Sequence, residues 1–134
     1  KLPVFVCNVD KSTKYILPVY GAGLWGPIWG YVSVNEDGNT IYGAYFSHQG
    51  ETPGLGAEIA HAEFSNQFKD KQLFKDGEFK SIAVEKKGQK PVNGADYVDG
   101  ISGGTITSKG VQTMLQSCLS CYTSFLTDLQ KDTK

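Results

Sequence analysis

Three glycine-rich segments hold the residues best suited by type and spacing to chemistry. They are GAGLWG (21–26), HQGETPGLGAEI (48–59) and DGISGGTITSKGV (99–111). In the third, four hydroxyl side chains surround two adjacent glycines, and an apolar, helix-like segment follows directly. In the second, glycines would let main-chain N–H groups approach a ligand, and a helix start would add further donors. The composition of that second segment alone slightly favours an ordinary turn with a helix cap.

The first segment, GAGLWG, matches the GxGxxG pattern of dinucleotide-binding proteins. That fingerprint needs a helix to begin at the third glycine, so that the helix N-terminus meets the pyrophosphate. Here PIWG and then a predicted hairpin follow, and the pattern is therefore not expected to bind a dinucleotide. Tryptophans among glycines indicate a loop whose backbone comes close to a flat, partly apolar partner. Packing of the same aromatics into a corner of the core is an equally good explanation of this segment alone.

Other common kinds of site have little support in the sequence. His48 and His61 are the only histidines, and no cysteine pair lies near them to complete a zinc site. Cys118 and Cys121 form a CxxC spacing, but we expect them in the middle of a helix, where no helix N-terminus would lower a thiol pKa. We therefore expect core-facing cysteines with free thiols. The Gly-x-Ser-x-Gly elbow of hydrolases and the Walker loop are both absent.

The composition is that of a single globular domain. The chain has 134 residues, of which 40% are hydrophobic, and a net charge of −1. Because there is no broad positive field, no nucleic-acid partner is expected. No apolar run reaches the roughly 20 residues that a membrane helix needs, which predicts a soluble chain. The first residue is not Met and a strand-like segment follows at once, so we expect a fragment of a longer protein.

The elements that must position these residues are strands in the first half of the chain. Apolar and aromatic runs predict strands at 2–7, 15–20, 30–34 and 39–46. Asp37-Gly38 between the last two is a strong hairpin signal, because glycine tolerates the positive φ of tight turns. This half is therefore predicted to be antiparallel.

The second half of the chain mixes helix and strand. Residues 55–74 have broken helical spacing, which predicts one or two short helices, and 79–86 alternate as a half-buried strand would. Residues 88–96 are predicted to be loop. With Thr107 or Ser108 as N-cap, apolar residues at three- and four-residue steps predict a closing helix. The fold class is α+β: a mostly antiparallel sheet, a short helical insertion and a C-terminal helix in one domain.

Taken together, GAGLWGPIWGY, GETPGLGAEI and DGISGGTITSKGV resemble, in order and approximate spacing, one known family. It is the FMN-binding domain found in NqrC of the bacterial Na⁺-translocating NADH:quinone reductase. The resemblance covers nearly the whole chain and implies that residues 1–134 are an FMN-binding domain. It also implies that the family's N-terminal membrane helix is absent from this sequence.

The resemblance assigns the site through the family's flavinylation motif, in which a final Thr carries FMN by a phosphoester bond. Residues 99–105 fit that motif, with Gly104 where Ala is usual, so Thr105 is the implied attachment residue. The phosphodiester would keep one negative charge, which main-chain amides, hydroxyls and the N-terminus of the closing helix can bind. The isoalloxazine ring would lie in an apolar slot with a few polar contacts. The other implied cofactor-binding residues are Ser102, Gly103, Gly104, Ser108, Glu51, Thr52, Leu55, Gly56, Leu24 and Trp25.

The function implied by the resemblance is one-electron relay through covalent FMN, within an oxidoreductase complex that transports sodium. The isolated domain would be an electron carrier with no catalytic residue and no turnover of its own. Implied partners are the other subunits of the membrane complex and a flavin transferase, without which FMN would be absent. The implied location is the periplasmic side of the bacterial inner membrane. Two alternatives stay open: the corresponding subunit of the ferredoxin:NAD⁺ oxidoreductase complex, and a non-redox scaffolding module that has kept the fold.

Overall fold

A four-stranded antiparallel sheet forms one layer of the protein. The computed structural model describes residues 2–132. The strands are β1 (Phe5–Val9), β2 (Ser12–Ala22), β3 (Pro27–Val34) and β4 (Ile41–His48), and they lie side by side in chain order. All four overlap the predicted strands, although each of them extends beyond the predicted bounds at one end or both. The predicted antiparallel arrangement of this half of the chain is thus confirmed.

The predicted hairpin between β3 and β4 is present. Gly38 has a φ of +69°, and the Asp37 carboxylate accepts hydrogen bonds from the Asn39 and Thr40 N–H groups, each at 2.9 Å. Glycine fits this position because a Cβ disfavours the left-handed region. The aspartate and the glycine together close the turn.

A run of short helical turns follows β4. It consists of a 3₁₀ helix (Gly56–Ala60), helix α1 (Ala62–Ser65) and a second 3₁₀ helix (Asn66–Phe68). The rings of Phe64 and Phe68 pack against each other and against Phe46 of β4, with centroids 5.2–5.7 Å apart. Burial of these three aromatic side chains fixes the insertion on the sheet. The broken helical spacing correctly predicted short helical segments here.

Four short strands complete the sheet elements: β5 (Phe74–Lys75), β6 (Glu78–Phe79), β7 (Ile82–Glu85) and β8 (Asp96–Asp99). The single strand predicted over 79–86 is wrong, because Ser81 has a φ of +59° and separates β6 from β7. β7 is also buried rather than half-buried, and it pairs with β8 in parallel. The predicted loop at 88–96 connects these two strands and ends as β8 begins.

The C-terminal part contains two helices, α2 (Thr105–Ser120) and α3 (Thr123–Asp132), instead of the one predicted. The prediction of Thr107 or Ser108 as N-cap is wrong, since the cap is Gly104 and both hydroxyl residues are buried in the first turn of α2. The break between the helices was missed because apolar side chains keep their three- and four-residue spacing across it.

The hydrophobic core lies between the inner face of the sheet and a layer formed by α2, α3 and the helical insertion. Its largest fully buried side chains come from all of these parts, which makes the fold an α+β domain as predicted. None of the helices between residues 2 and 132 has the length and apolar character that crossing a bilayer requires. The most deeply buried core residues include Leu17, Ile28, Ile41, Phe46, Ile59, Phe68, Met114, Leu115, Leu119 and Leu126.

Candidate functional site

A cavity of about 400 Å³ lies where three segments of the chain meet. These segments are the turn between β2 and β3, the loop after β4 that leads into the first 3₁₀ helix, and the start of α2. They are the three glycine-rich segments of the sequence, brought together by the sheet and by the packing of α2 on β2. The lining residues are Leu24, Trp25, Glu51, Thr52, Leu55, Gly56, Gly103, Gly104, Thr105, Ile106 and Thr107.

Nine of the eleven residues assigned to the site by sequence line this cavity, and Ser102 and Ser108 do not. Ser108 is buried, and its hydroxyl accepts a hydrogen bond from the Ile101 N–H at 2.9 Å. Its oxygen therefore holds the preceding loop against α2. Ser102 is exposed in the turn before the helix, outside the cavity lining. A phosphate-binding role for either hydroxyl stays a prediction, and the structure gives it no support from position.

Thr105 is the first residue of α2, and its side chain is exposed at the cavity. The turn before it is closed by a hydrogen bond from the Gly104 N–H to the Ile101 oxygen at 2.9 Å, with Gly103 at a φ of +76°. No side chain caps the helix. The first-turn amides of an α-helix have no intrahelical acceptor, and the helix dipole is positive at this end. A group attached to Thr105 would therefore meet main-chain donors suited to an anion.

Glu51 is the ionisable side chain beneath the cavity, and only 4% of it is exposed. Its carboxylate accepts hydrogen bonds from the Leu24 N–H at 3.1 Å, from the Trp25 N–H at 2.8 Å and from the Thr107 hydroxyl. Burial alone would raise the pKa of the Glu51 carboxyl. The hydrogen bonds from Thr107, Trp25 and Leu24, with the nearby His48, outweigh burial and hold that pKa below its ordinary value. Glu51 is therefore a buried carboxylate anion.

Leu24 and Trp25 form one side of the cavity and are unusually exposed for apolar residues, at 48% and 68%. They lie in a tight turn closed by a hydrogen bond from the Gly23 N–H to the Gly26 oxygen at 2.8 Å. β3 follows this turn directly, without a helix, so the GxGxxG spacing has no dinucleotide-binding geometry here. The exposed side chains leave an apolar surface available to a flat ligand.

Two lining residues, Ile106 and Thr107, were missed by the sequence analysis. Thr107 was interpreted as a helix cap, but it points inward and its hydroxyl bonds to Glu51, 56 residues away in the chain. The signal that could have found it is its spacing from Val111 and Met114, which puts all three on the buried face of one helix. Ile106 gave no signal, because it is 60% exposed at the cavity edge.

The histidines and cysteines lie outside the cavity lining. His48 Nδ1 accepts the Glu51 N–H at 3.1 Å, and His61 pairs with Glu58 at 3.4 Å. Within residues 2–132, no three or more His, Cys, Asp or Glu side chains are grouped closely enough to hold a metal ion. The cysteines are free thiols, as predicted for Cys118 and Cys121. Cys118 packs against the core, but the prediction of a core-facing position is wrong for Cys121, which is exposed at the C-terminal end of α2.

A family model described as "FMN-binding domain" matches residues 23–120, a range that contains every residue lining the cavity. The chain belongs to this family of FMN-binding domains.

The relatives of the chain within the family are more specific. NqrC of the Na⁺-translocating NADH-quinone reductase from Vibrio vulnificus strain YJ016 is 47% identical over 107 residues, which are 80% of this chain and 42% of that protein. Its counterpart from Chlamydia pneumoniae is 38% identical over 133 residues, covering 87% of this chain and 42% of that protein. The chain thus spans less than half the length of these curated relatives.

Solved structures give the same result. The crystal structure of the Parabacteroides distasonis ATCC 8503 counterpart superposes with a TM-score of 0.91 at 67% identity, covering 94% of this chain and 63% of that one. Shewanella oneidensis NqrC superposes with a TM-score of 0.80 at 35% identity, covering 97% of this chain and 61% of that one. The resemblance recognised in the sequence is confirmed.

Proposed function

We propose that this chain is the flavin-carrying domain of the NqrC component of a Na⁺-translocating NADH:quinone reductase, with FMN attached to Thr105 by a phosphoester bond. The observation that carries the proposal is the position of Thr105. Thr105 is the first residue of a 16-residue helix, and its hydroxyl-bearing side chain is exposed at a cavity of about 400 Å³. Cavities of this size are typical of cofactor sites. The relatives named above support the choice of enzyme complex.

The residues present fit the group. The first-turn amides of α2 and the helix dipole would bind the single negative charge of a phosphodiester on Thr105. Leu24, Trp25 and Leu55 offer apolar surface to the isoalloxazine ring, and Thr52 and Gly56, which also line the cavity, would offer a hydroxyl and main-chain groups to its polar edge. When bound, FMN would supply the one-electron chemistry. The protein would anchor it, exclude water from one face and set its potential through burial and hydrogen bonds.

Attachment is a group transfer that needs a second enzyme. The Thr105 hydroxyl oxygen would form a bond to the flavin-side phosphorus of FAD, the pyrophosphate bond would break, AMP would leave, and the hydroxyl would lose its proton. Within the cavity, Glu51 is occupied by three hydrogen-bond donors and is not free to act as the base for this step. A flavin transferase would supply the catalysis, which is why we expect the chain made alone to be free of flavin.

The proposed setting follows the longer protein rather than this chain alone. Other components of the membrane complex would donate and accept electrons, and the flavin domain would face the periplasm. Attachment to the inner membrane would come from a segment of the longer protein. In this setting the domain is an electron carrier without turnover of its own.

Peptide mass spectrometry after co-expression with a flavin transferase tests the proposal. The peptide containing Thr105 should gain the mass of FMN minus one water, and the yellow colour should survive denaturation and acid precipitation. Thr105→Val should stay colourless, and Thr105→Ser should regain the modification because it restores the hydroxyl. An unmodified wild-type chain under these conditions, or FMN on another residue, would refute the assignment of Thr105.

A further inference from the structure

We propose that Glu51 is a positioning residue: its carboxylate locks the Leu24–Trp25 turn to the first turn of α2 and so fixes the width of the cavity. This inference rests on the proposed function only in that the cavity is taken to receive the flavin. It departs from the role suggested by the family resemblance, in which Glu51 contacts the ring. The carboxylate faces three donors of its own chain instead.

The carboxylate accepts hydrogen bonds from two different parts of the cavity wall. Oε1 accepts from the Leu24 N–H and the Thr107 hydroxyl, and Oε2 accepts from the Trp25 N–H. Thr107 lies two residues after Thr105 on the same helical turn. The carboxylate thus connects the apolar wall to the helix that bears the attachment residue, and a change at Glu51 would alter their separation.

The backbone closes tightly around this carboxylate. A Cβ at Gly23 would lie 2.8 Å from both the Glu51 Cδ and Oε1 atoms, and a Cβ at Gly56 would lie 2.9 Å from Oε1. Real Cβ atoms essentially never come within 3.0 Å of such neighbours, so a side chain at either position would force the Glu51 carboxylate or the backbone to shift. Two segments that are distant in sequence therefore meet on one side chain.

The Leu24–Trp25 turn has little else to hold it. Its two side chains are largely exposed, so burial of apolar surface contributes little to its conformation. Its internal restraint is the hydrogen bond between Gly23 and Gly26. Hydrogen bonds to a charged acceptor are stronger than those between neutral groups, and they are strongest away from water. The bonds to Glu51 are therefore the main link between this turn and the rest of the domain.

Amide hydrogen exchange in the flavin-free protein, resolved by residue with NMR, tests the proposal. In Glu51→Gln, the carboxamide keeps one acceptor oxygen and places an NH₂ group against a donor, so at least one turn amide loses its partner. Exchange at Leu24 or Trp25 should accelerate about tenfold or more, while the Val32 amide in the centre of the sheet keeps its wild-type rate. Glu63→Gln is the matched control, because it removes the same charge from an exposed position on α1 and should change neither rate.

Two results would overturn the proposal: wild-type exchange at both turn amides in Glu51→Gln, or equal acceleration at every amide, which would make Glu51 a general stabilising residue. A titration of the wild-type protein guards against a variant that fails to fold. The Leu24, Trp25 and Thr107 amide signals should shift together, with one midpoint below pH 4.5. His48 also faces Glu51, so the His48→Gln variant is titrated in parallel. If the variant still shows the transition, Glu51 is supported as the titrating group. If the variant lacks the transition, the assignment to Glu51 is contradicted.

The exchange experiment and the covalent-flavin experiment fail independently. The first uses protein without flavin and reads only the turn, whereas the second reads the Thr105 peptide. Unchanged exchange with normal FMN attachment would refute the positioning role and leave the proposed function intact. Faster exchange in Glu51→Gln, combined with no FMN on Thr105 of the wild type, would support the positioning role and refute the proposed function.

Discussion

Replacing Gly56 with Ala should destabilise the protein, whereas the same substitution at Gly50, six residues earlier in the same loop, should not. A Cβ at Gly56 would lie 2.5 Å from the Thr107 Oγ1 atom and 2.9 Å from the Glu51 Oε1 atom. At Gly50 it would meet no atom within 4 Å, and neither glycine has a positive φ. The pair therefore isolates close packing at the cavity floor from any effect of backbone conformation.

The magnitude follows from the distances. The new methyl group at residue 56 must move by about 0.5 Å relative to the Thr107 hydroxyl to reach the 3.0 Å that real contacts respect. Overpacking of this kind costs about 1–3 kcal/mol, and reduced freedom of the unfolded chain offsets about 0.4–1 kcal/mol of that. We expect Gly56→Ala to lose about 1–2 kcal/mol, and Gly50→Ala to gain up to about 1 kcal/mol.

Urea denaturation of the flavin-free proteins measures this difference, with the midpoint compared at constant slope. The same displacement reaches the tolerance of about 0.5 Å within which functional sites are usually held. The yield of FMN on Thr105 should therefore fall in Gly56→Ala and remain unchanged in Gly50→Ala. Equal stability of the two variants would refute the close packing of Gly56, Thr107 and Glu51.

Three further predictions concern Glu51, Gln67 and Gly104. The pKa of Glu51 is lowered in the folded state, so its ionised form contributes stability above pH 4.5. This stability is lost as the pH falls through the folded pKa. The difference in unfolding free energy between wild type and Glu51→Gln should therefore shrink over that range. Gln67 accepts the Asp99 N–H at 2.8 Å and donates to the Asp99 oxygen at 3.1 Å, so Gln67→Met should cost about 1–3 kcal/mol in urea denaturation, and exposed Gln116→Met should cost much less. Gly104→Ala introduces the alanine usual in the flavinylation motif that residues 99–105 resemble, and its methyl group would lie 3.2 Å from the Gly56 nitrogen and from Ile101. We expect these neighbours to move by a few tenths of an ångström, and mass spectrometry should still find FMN on Thr105.

The parts of the fold that the sequence predicted are those set by neighbouring residues. The apolar and aromatic run within β3 and the Asp37-Gly38 turn are local features, and both were recognised. The start of α2 was misplaced because cap prediction looks for a hydroxyl that bonds to its own helix. Here the turn at Gly103 and Gly104 begins the helix, and the Thr107 hydroxyl is used by a residue 56 positions away. Such an assignment depends on tertiary structure, which a local pattern does not contain.

The site divides in the same way. Composition identified three glycine-rich segments, but it did not show that they meet; their order and spacing, compared with a known family, supplied that link. Neither the composition nor the resemblance predicted the direction in which each side chain points. Ser108 turns towards the Ile101 N–H and Glu51 towards the Leu24–Trp25 turn, because buried polar atoms must find partners wherever packing places them.

The GxGxxG spacing shows why a pattern of glycines needs a physical reason at each position. A Cβ at Gly21 would lie 2.8 Å from the Met114 Cβ atom, so this glycine lets α2 pack closely on β2. Gly23 makes room for the Glu51 carboxylate, and Gly26 meets nothing within 4 Å. None of the three approaches a pyrophosphate at a helix N-terminus. The helix that we propose to bind the anion is α2, about 80 residues further along the chain. Gly21 and Gly23 leave room for α2 and for the buried Glu51 carboxylate beside the cavity.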